Sequence, residues 1–524
     1  MTSLSPAADS TGSPAATAAP APTAAAARAA LLLNGPVLAT LLALALPNLI
    51  VMLAQAAANF LESYYVGLLG VDALAGAALV FPLVMLMQMM SAGGIGGAIS
   101  SAIARALGGG RHEEAEALAL HAVVIALVAG VLFGLATVLG GRALYSAMGG
   151  RGAALDAALA YSNVIFCGAV FLWLLNALAS VLRGTGNMVL PAVVLVGGTL
   201  LLFVFSPVLI FGYGPIPAMG IGGAGLSLVL YYLLGSVVLA AKLMSGGSGL
   251  HLTFRHRLRG RLFAEILGVG GLAVINNIAS NLCVVVATAL VAPLGTQALA
   301  GFGLGVRLEY LQIPIVFGIS AGMVAMIGMN VGAGQTTRAR QIAWTGAFVA
   351  AGVTEAVGLA AAIFPRAWLH LFTDDAEAIR VGAEYLQTVA PIYGLYGFGA
   401  ALYFASQGAR RMRWSVIAQM ARLAVVAIAG AAVMHAANGG LQGLLWALVL
   451  ALVTYAALSA VPWIPRVKPL ARAALEYPLT GPTSNRHHRP APAVGRPTTF
   501  EGKIHANSCD RRRRDRRLFR WQAA

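Results

Sequence analysis

Charge is scarce in this chain, and acidic charge is scarcest: 18 Asp and Glu among 524 residues, four of them in the last 59. Only 10% of residues are charged against 59% hydrophobic, with a mean hydropathy of +0.81. That balance excludes a soluble globular protein and places the chain in the polytopic membrane class. Cysteine is as thin: Cys167, Cys283 and Cys509 offer neither a disulfide framework nor a metal-ligand spacing. Redox chemistry is therefore not expected. No His-x-x-His or paired-Asp motif supports a membrane enzyme, and GGGR at 108–111 lacks the Lys-Ser/Thr ending of a phosphate loop. The first 34 residues carry no basic stretch leading into a short apolar segment, so no signal peptide is expected. Rich in Ala, Pro, Ser and Thr, with Arg28 their only basic residue, residues 1–34 read as a disordered leader.

What the chain has in abundance is apolar runs. Between 36 and 465 twelve of them are long enough to cross about 30 Å of hydrocarbon. They fall at 36–69, 73–106, 115–140, 158–182, 189–212, 220–244, 262–293, 297–329, 337–364, 380–407, 412–435 and 440–464. The expected fold is an all-α polytopic membrane protein with twelve transmembrane helices. Of the net charge of +16, the tail 466–524 supplies about ten units, 14 Lys/Arg against 4 Asp/Glu. Without hydrophobic periodicity the tail reads as disordered and drawn to anionic headgroups, and a nucleic-acid partner is not expected.

Loop charges set the orientation. Counting from a cytoplasmic start, the even loops carry Arg105, Arg111, Arg183, Lys242, Arg255, Arg257, Arg259, Arg261, Arg338, Arg340, Arg410, Arg411 and Arg413. The odd loops carry Arg142, Arg151, Arg366 and Arg380. Thirteen against four is a positive-inside bias that predicts both termini in the cytoplasm.

The chain also repeats itself. LGVDALAG at 69–76 recurs as LGTQALAG at 294–301, an offset of 225. ALGGGRHEEAEAL, which follows Arg105, is answered by NVGAGQTTRARQI, and Leu182-Arg-Gly-Thr-Gly-Asn187 more loosely by Ser406-Gln-Gly-Ala-Arg-Arg411. Two pseudo-symmetric six-helix bundles follow, 35–244 and 262–465, joined by a basic cytoplasmic linker at 245–261. Six is even, so both halves enter from the same side, a parallel repeat of the kind transporters use, with the substrate site between the halves.

The first span holds the candidate coupling site. Gln55, Asn59 and Glu62 are spaced i, i+4, i+7 and stack on one helical face. Pro47, two turns earlier, removes a backbone hydrogen bond and is expected to act as a hinge. A carboxyl group inside a span costs about 2.5–3.5 kcal/mol on insertion scales and marks a functional site by default. Glu62 is therefore read as a proton- or cation-binding group. In the second half Arg307 and Glu309 lie inside a span, Arg307 as the clearly intramembrane arginine. At i, i+2 the two do not face each other, so their partners belong to other spans. Gln312 shares a face with Glu309, and Asn276, Asn277 and Asn281 add polar groups nearby. Glu355 sits in the ninth span. Tyr64, Tyr65, Tyr393, Tyr396 and Tyr403 are suited to stacking on planar cations, and Met85, Met87, Met89 and Met90 to an adaptable wall.

These residues resemble the multidrug and toxic compound extrusion (MATE) family of transporters. The resemblance rests on Pro47-x7-Gln55-x3-Asn59-x2-Glu62, VGLLGVDALAG, SAIARALGGGRHEEAEAL, Arg183-Gly-Thr-Gly-Asn187, ALAGFGLGVRLEYL and IGMNVGAGQTTRARQ, and covers about 36–465 in order. It implies two bundles about a central cavity in a bacterial inner membrane. It also implies a monomer that exports bulky amphipathic, often cationic compounds against inward H+ or Na+, with no cofactor besides the coupling ion. Glu62 stands where the family usually has an Asp. One departure matters: where many prokaryotic members carry Asp-Pro in the fifth span, this chain has Ser206-Pro207. Either Glu62 works with neutral polar neighbours or coupling lies elsewhere. A related lipid-linked sugar flippase is the rival reading, and is expected to line its cavity with several arginines.

Overall fold

The structure, a computed structural model, describes residues 24–246, 249–435 and 440–465. The stretches 1–23 and 466–524, and with them Cys509 and most of the expected leader and tail, lie outside the described residues. Eleven helices are long and apolar enough to span a membrane, and a bent pair makes the twelfth. No β-strand occurs among the described residues.

In the first half the spans are α2 (Val37–Gly67), α3 (Val71–Gln88) continued through a π-helical turn (Met89–Ile95) into α4 (Gly96–Gly108), and α5 (His112–Ala147). They are followed by α6 (Gly152–Cys167) with α7 (Ala169–Gly184), α8 (Val189–Phe211) and α9 (Gly220–Met244). The second half has α10 (Gly260–Val291), α11 (Thr296–Gly332), α12 (Thr336–Ile363), the short α13 (Pro365–Leu369), α14 (Ala376–Val389) running into α15 (Tyr393–Gly408), α16 (Met412–His435) and α17 (Leu441–Ala460). Each expected apolar run thus has its helix.

Two expectations are corrected. The run 158–182 is neither straight nor that short: it spans 152–184 and bends by 47° at Gly168. There α9 comes so close that a Cβ on Gly168 would meet the side chain of Val229. The leader is not disordered throughout, because Ala24–Asn34 forms a helix, α1. Leu32 of this helix is buried, Asn330 Nδ2 donates to its carbonyl at 3.0 Å, and Arg338 donates to the carbonyl of Gly35. Tertiary contact offsets the ordering cost that the Ala-rich composition could not. The basic linker is tied to the start of α5 by its acids, with Arg261 2.6 Å from Glu114 and the His251 amide donating to Glu116 at 3.2 Å.

The halves meet at the end that carries the basic loops. α4 packs on α11, α15 and α10. Ser101 Oγ donates to the Gln407 carbonyl at 2.5 Å, and Arg105 donates to the Gly408 carbonyl at 3.3 Å and pairs with Glu265 at 3.2 Å. Small residues allow this approach: a Cβ on Gly108 would strike the backbone of Met329, and one on Gly332 the backbone of Arg105. Toward the other end Val71–Gln88 packs within its own half, on α2, α5 and α6. Overpacking such a contact costs about 1–3 kcal/mol. Gly332→Leu is therefore expected to lower the melting temperature in detergent, and Gly303→Leu, where a Cβ meets nothing, to leave it unchanged. Equal melting curves for both would overturn the close-approach argument.

Candidate functional site

Between the halves lies a cavity of about 620 Å³. It extends from Gly93 and Arg183 at the packed end to Val66 and Leu74 beside the α2–α3 turn. The helical spacing of α2 works as expected: Gln55, Asn59 and Glu62 all stand on its wall, joined by Ser63. α2 runs unbroken through Pro47. Glu62 accepts a hydrogen bond from the phenol of Tyr161 on α6 at 2.5 Å, and Tyr231 and Tyr232 of α9 line the same half. Tyr161 was not foreseen from the sequence. Nothing local marks it, because it meets Glu62 only when α6 packs against the α2–α3 pair.

The π turn places amides at mid-depth. Widening the helix frees backbone carbonyls, and donors from the second half take two of them: Asn277 Nδ2 reaches Met89 O at 3.2 Å and Gln407 Nε2 reaches Gly93 O at 3.1 Å. Asn176 on α7 donates to Gln88 at 3.2 Å and to Ser91 at 2.8 Å. Tyr403 donates to Asn277 Oδ1 at 3.3 Å. Aromatic rings complete the wall, among them Phe81, Phe317, Tyr396, Phe404 and Tyr455, with Met85 and Met89.

Of the expected second-half site, Asn276, Asn277 and Tyr396 line the cavity and the rest do not. Arg307 is exposed, its guanidinium 5.5 Å from the ring of Phe372, and does not face the cavity. Glu309 is held behind the wall by Arg422 of α16 at 2.7 Å, with Tyr385 at 3.5 Å. Arg422 also lies over the rings of Tyr396 and Tyr455 at 5.5 and 5.7 Å. The pair is thus a packed ion pair of the second bundle, which corrects the reading of Glu309 as a cavity group. Gln312 is fully buried, Tyr393 donates to Tyr385 at 3.4 Å, and Asn281 donates to Asn277 O at 3.0 Å, all three away from the cavity wall. Glu355 accepts the Gly394 amide at 2.7 Å and so joins α12 to the start of α15. Ser206 is buried in α8 off the wall, which Thr199 and Leu202 supply instead. Of the aromatic and methionine set, Tyr403, Met85 and Met89 face the cavity, Tyr64 is exposed and Met87 is buried.

Among the described residues three arginines are buried: Arg105 and Arg183, counted with the loop charges above, and Arg422, not singled out from the sequence. Arg183, in the last turn of α7, is 5% exposed and lines the cavity. Arg422 stood in plain view as a lone arginine about ten residues into an apolar run.

A twelve-span helical protein whose two halves close at one end about a polar, aromatic cavity is a polytopic membrane transporter, not an enzyme. The MatE family model matches it twice, at residues 47–208 and 273–433, together more than half of the chain. The chain belongs to the MATE transporter family. It is 25% identical to the FAD transporter of Shewanella oneidensis over 430 residues, 80% of this chain and 92% of that one. It is 25% identical to the probable multidrug resistance protein NorM of Thermotoga maritima (71% and 79% covered) and 24% to the multidrug export protein MepA of Staphylococcus saprophyticus (79% and 90%). Its fold matches a MOP-superfamily transporter from Pyrococcus furiosus, described as having a binding pocket of reversed polarity, with a TM-score of 0.76 at 23% identity over 86% of this chain and 99% of that one. It likewise matches an outward-facing multidrug resistance MATE transporter at 0.75 (23% identity, 85% and 99% covered). It is a multi-pass bacterial membrane protein.

Proposed function

We propose that the chain is a secondary antiporter of the cytoplasmic membrane that exports bulky amphipathic compounds, often cationic, in exchange for H+. The observation that carries this is Glu62. It is the one carboxylate among the residues lining the cavity, and its partner is a neutral phenol, not a cation. Glu309, by contrast, is already neutralised by Arg422. Of the two alternatives left by Ser206-Pro207, coupling through Glu62 with neutral neighbours is the one this arrangement supports.

The chemistry is simple. Desolvation disfavours a charged carboxylate, so such a group takes up a proton readily from the side to which its cavity is hydrated. A cationic cargo competes for the same carboxylate, which links export of one to import of the other. Sodium would need several hard oxygen ligands, and with Ser206 off the wall Glu62, Asn59 and Gln55 make a thin set. No cofactor beyond the ion is required, and a monomer suffices, since one chain encloses the cavity.

The positive-inside bias of the loop arginines supports a cytoplasmic packed end, and with it an outward-open state. Reversal requires the Arg105–Glu265 contact to part and the halves to close around Glu62, with α2 flexing at Pro47. The relatives' names, a FAD transporter and multidrug export proteins, support a large cargo. A sugar-pyrophosphate flippase is disfavoured because Arg183 is the single arginine on the wall.

The test is ethidium efflux from proteoliposomes with a pH gradient or a sodium gradient imposed separately. Efflux driven by the pH gradient is expected. Movement under sodium alone would overturn proton coupling, and none under either would overturn cation export.

A further inference from the structure

The cavity floor carries a charge that coupling through Glu62 does not use. Arg183 is 95% buried by its 5% exposure, and lies on the cavity wall at the packed end. Among the described residues no carboxylate pairs with it, and its Nε has no hydrogen-bond partner. Its neighbours are neutral: the ring of Phe317 on α11, 5.8 Å away, and the phenol of Tyr231 on α9, with which it interacts electrostatically. The other deeply buried arginines behave differently: Arg105 pairs with Glu265 at 3.2 Å and Arg422 with Glu309 at 2.7 Å. A buried charge without a partner is costly, and such residues inside a membrane mark substrate or ion pathways. The internal repeat sharpens the contrast. The position that answers Arg183 in the second half is Gln407, a neutral side chain whose amide is engaged with Gly93 O at 3.1 Å. The Gln407 amide nitrogen thus has a backbone partner across the interface, and the Arg183 Nε has none.

We propose that Arg183 is an anion-binding group at the floor of the cavity, and that the cargo it selects is a planar aromatic compound bearing an oxyanion, a phosphate or a carboxylate. The inference rests on the efflux reading and names the cargo of the same cavity. The guanidinium presents a fork of donors to such a group. Phe317 beside it, with Tyr403, Phe404 and Tyr455 on the same wall, supplies ring surface for the aromatic part. Amides of Asn176, Asn276 and Gln419 supply neutral polar contacts between. Arg183 lies seven residues beyond Asn176 on α7, about 10 Å deeper at 1.5 Å per residue. Glu62 lies toward the opposite end of the cavity, so an oxyanion held on Arg183 sits away from the carboxylate that would repel it.

The test uses riboflavin and flavin mononucleotide, which share one ring system and differ by a phosphate. Binding is read by flavin fluorescence quenching on the full chain in nanodiscs of neutral phosphatidylcholine. The wild type is expected to bind the phosphate ester about tenfold or more tighter than riboflavin, the scale of one charge-assisted hydrogen-bond pair. Arg183→Gln is expected to equalise the two, and an unchanged melting temperature shows that the variant is folded. Arg183→Lys is expected to keep part of the preference. Equal affinities in the wild type, a preference that survives Arg183→Gln, or ethidium binding with no binding of either flavin would overturn the inference. Ethidium efflux in the same preparation separates the two readings. Efflux with no phosphate preference removes the anion site alone, and no efflux under either gradient removes the transport reading with it.

Discussion

Glu62→Gln is expected to abolish ion-driven efflux, at least tenfold and to the level of empty liposomes, while the protein remains folded and monodisperse. Glutamine fills the same volume, and its carbonyl oxygen accepts the Tyr161 hydroxyl that Glu62 accepts at 2.5 Å. What is lost is the ability to take up and release a proton. Since no other carboxylate lines the cavity, no neighbour can stand in. Glu62→Asp retains a titratable group about one methylene shorter and is expected to retain part of the activity. Ethidium binding to Glu62→Gln should weaken too, because the carboxylate that attracts the cation is gone. Full proton-driven efflux by the glutamine variant would show that coupling lies elsewhere in the chain.

The second large effect concerns stability. Arg422 and Glu309 are 7% and 14% exposed at their side chains and 2.7 Å apart. Removing one partner of a buried pair strands the other charge and typically costs about 3–5 kcal/mol, whereas replacing both is often close to neutral. Arg422→Met and Glu309→Gln are each expected to lower the melting temperature sharply. The double variant is expected to melt above both. Arg422→Met also removes the cation from the rings of Tyr396 and Tyr455, so it should be the more damaging single change. A double variant whose loss equals the sum of the two singles would mean that the groups are not coupled. Glu309→Gln measured for transport separates this role from coupling. A loss that follows the amount of folded protein is expected, with the pH dependence of the remainder unchanged.

The shared face of Gln55, Asn59 and Glu62 was legible in the sequence because its evidence is local. Gln55, Asn59 and Glu62 share a face by the geometry of one helix, whatever the rest of the chain does. Arg307 and Glu309 find their partners on other elements, as their i, i+2 spacing required, but neither lines the cavity, for the opposite reason. Depth along an apolar run does not say which way a side chain points around it. Arg307 turns outward to Phe372, and Glu309 turns toward a helix more than a hundred residues away. Arg183 ends a span: counted with the loops, it reports topology, but α7 continues two residues past the expected run to Gly184, and packing of the halves buries the side chain. Asn34 and the residues before it formed a helix against composition, since burial of Leu32 and the Asn330 contact arise only in the folded state.

The membrane class, the twelve spans, the double repeat and the inward face of the first span were all determined by the sequence itself. Hydropathy, helical period and repeated motifs are properties of neighbours in the chain. Tertiary structure alone decided which charges meet. It paired Glu62 with Tyr161 and Glu309 with Arg422, and it left Arg183 without a carboxylate on the cavity floor. Those partners lie on different helices, and the packing that joins them depends on how whole helical faces fit together, which no short window of sequence records.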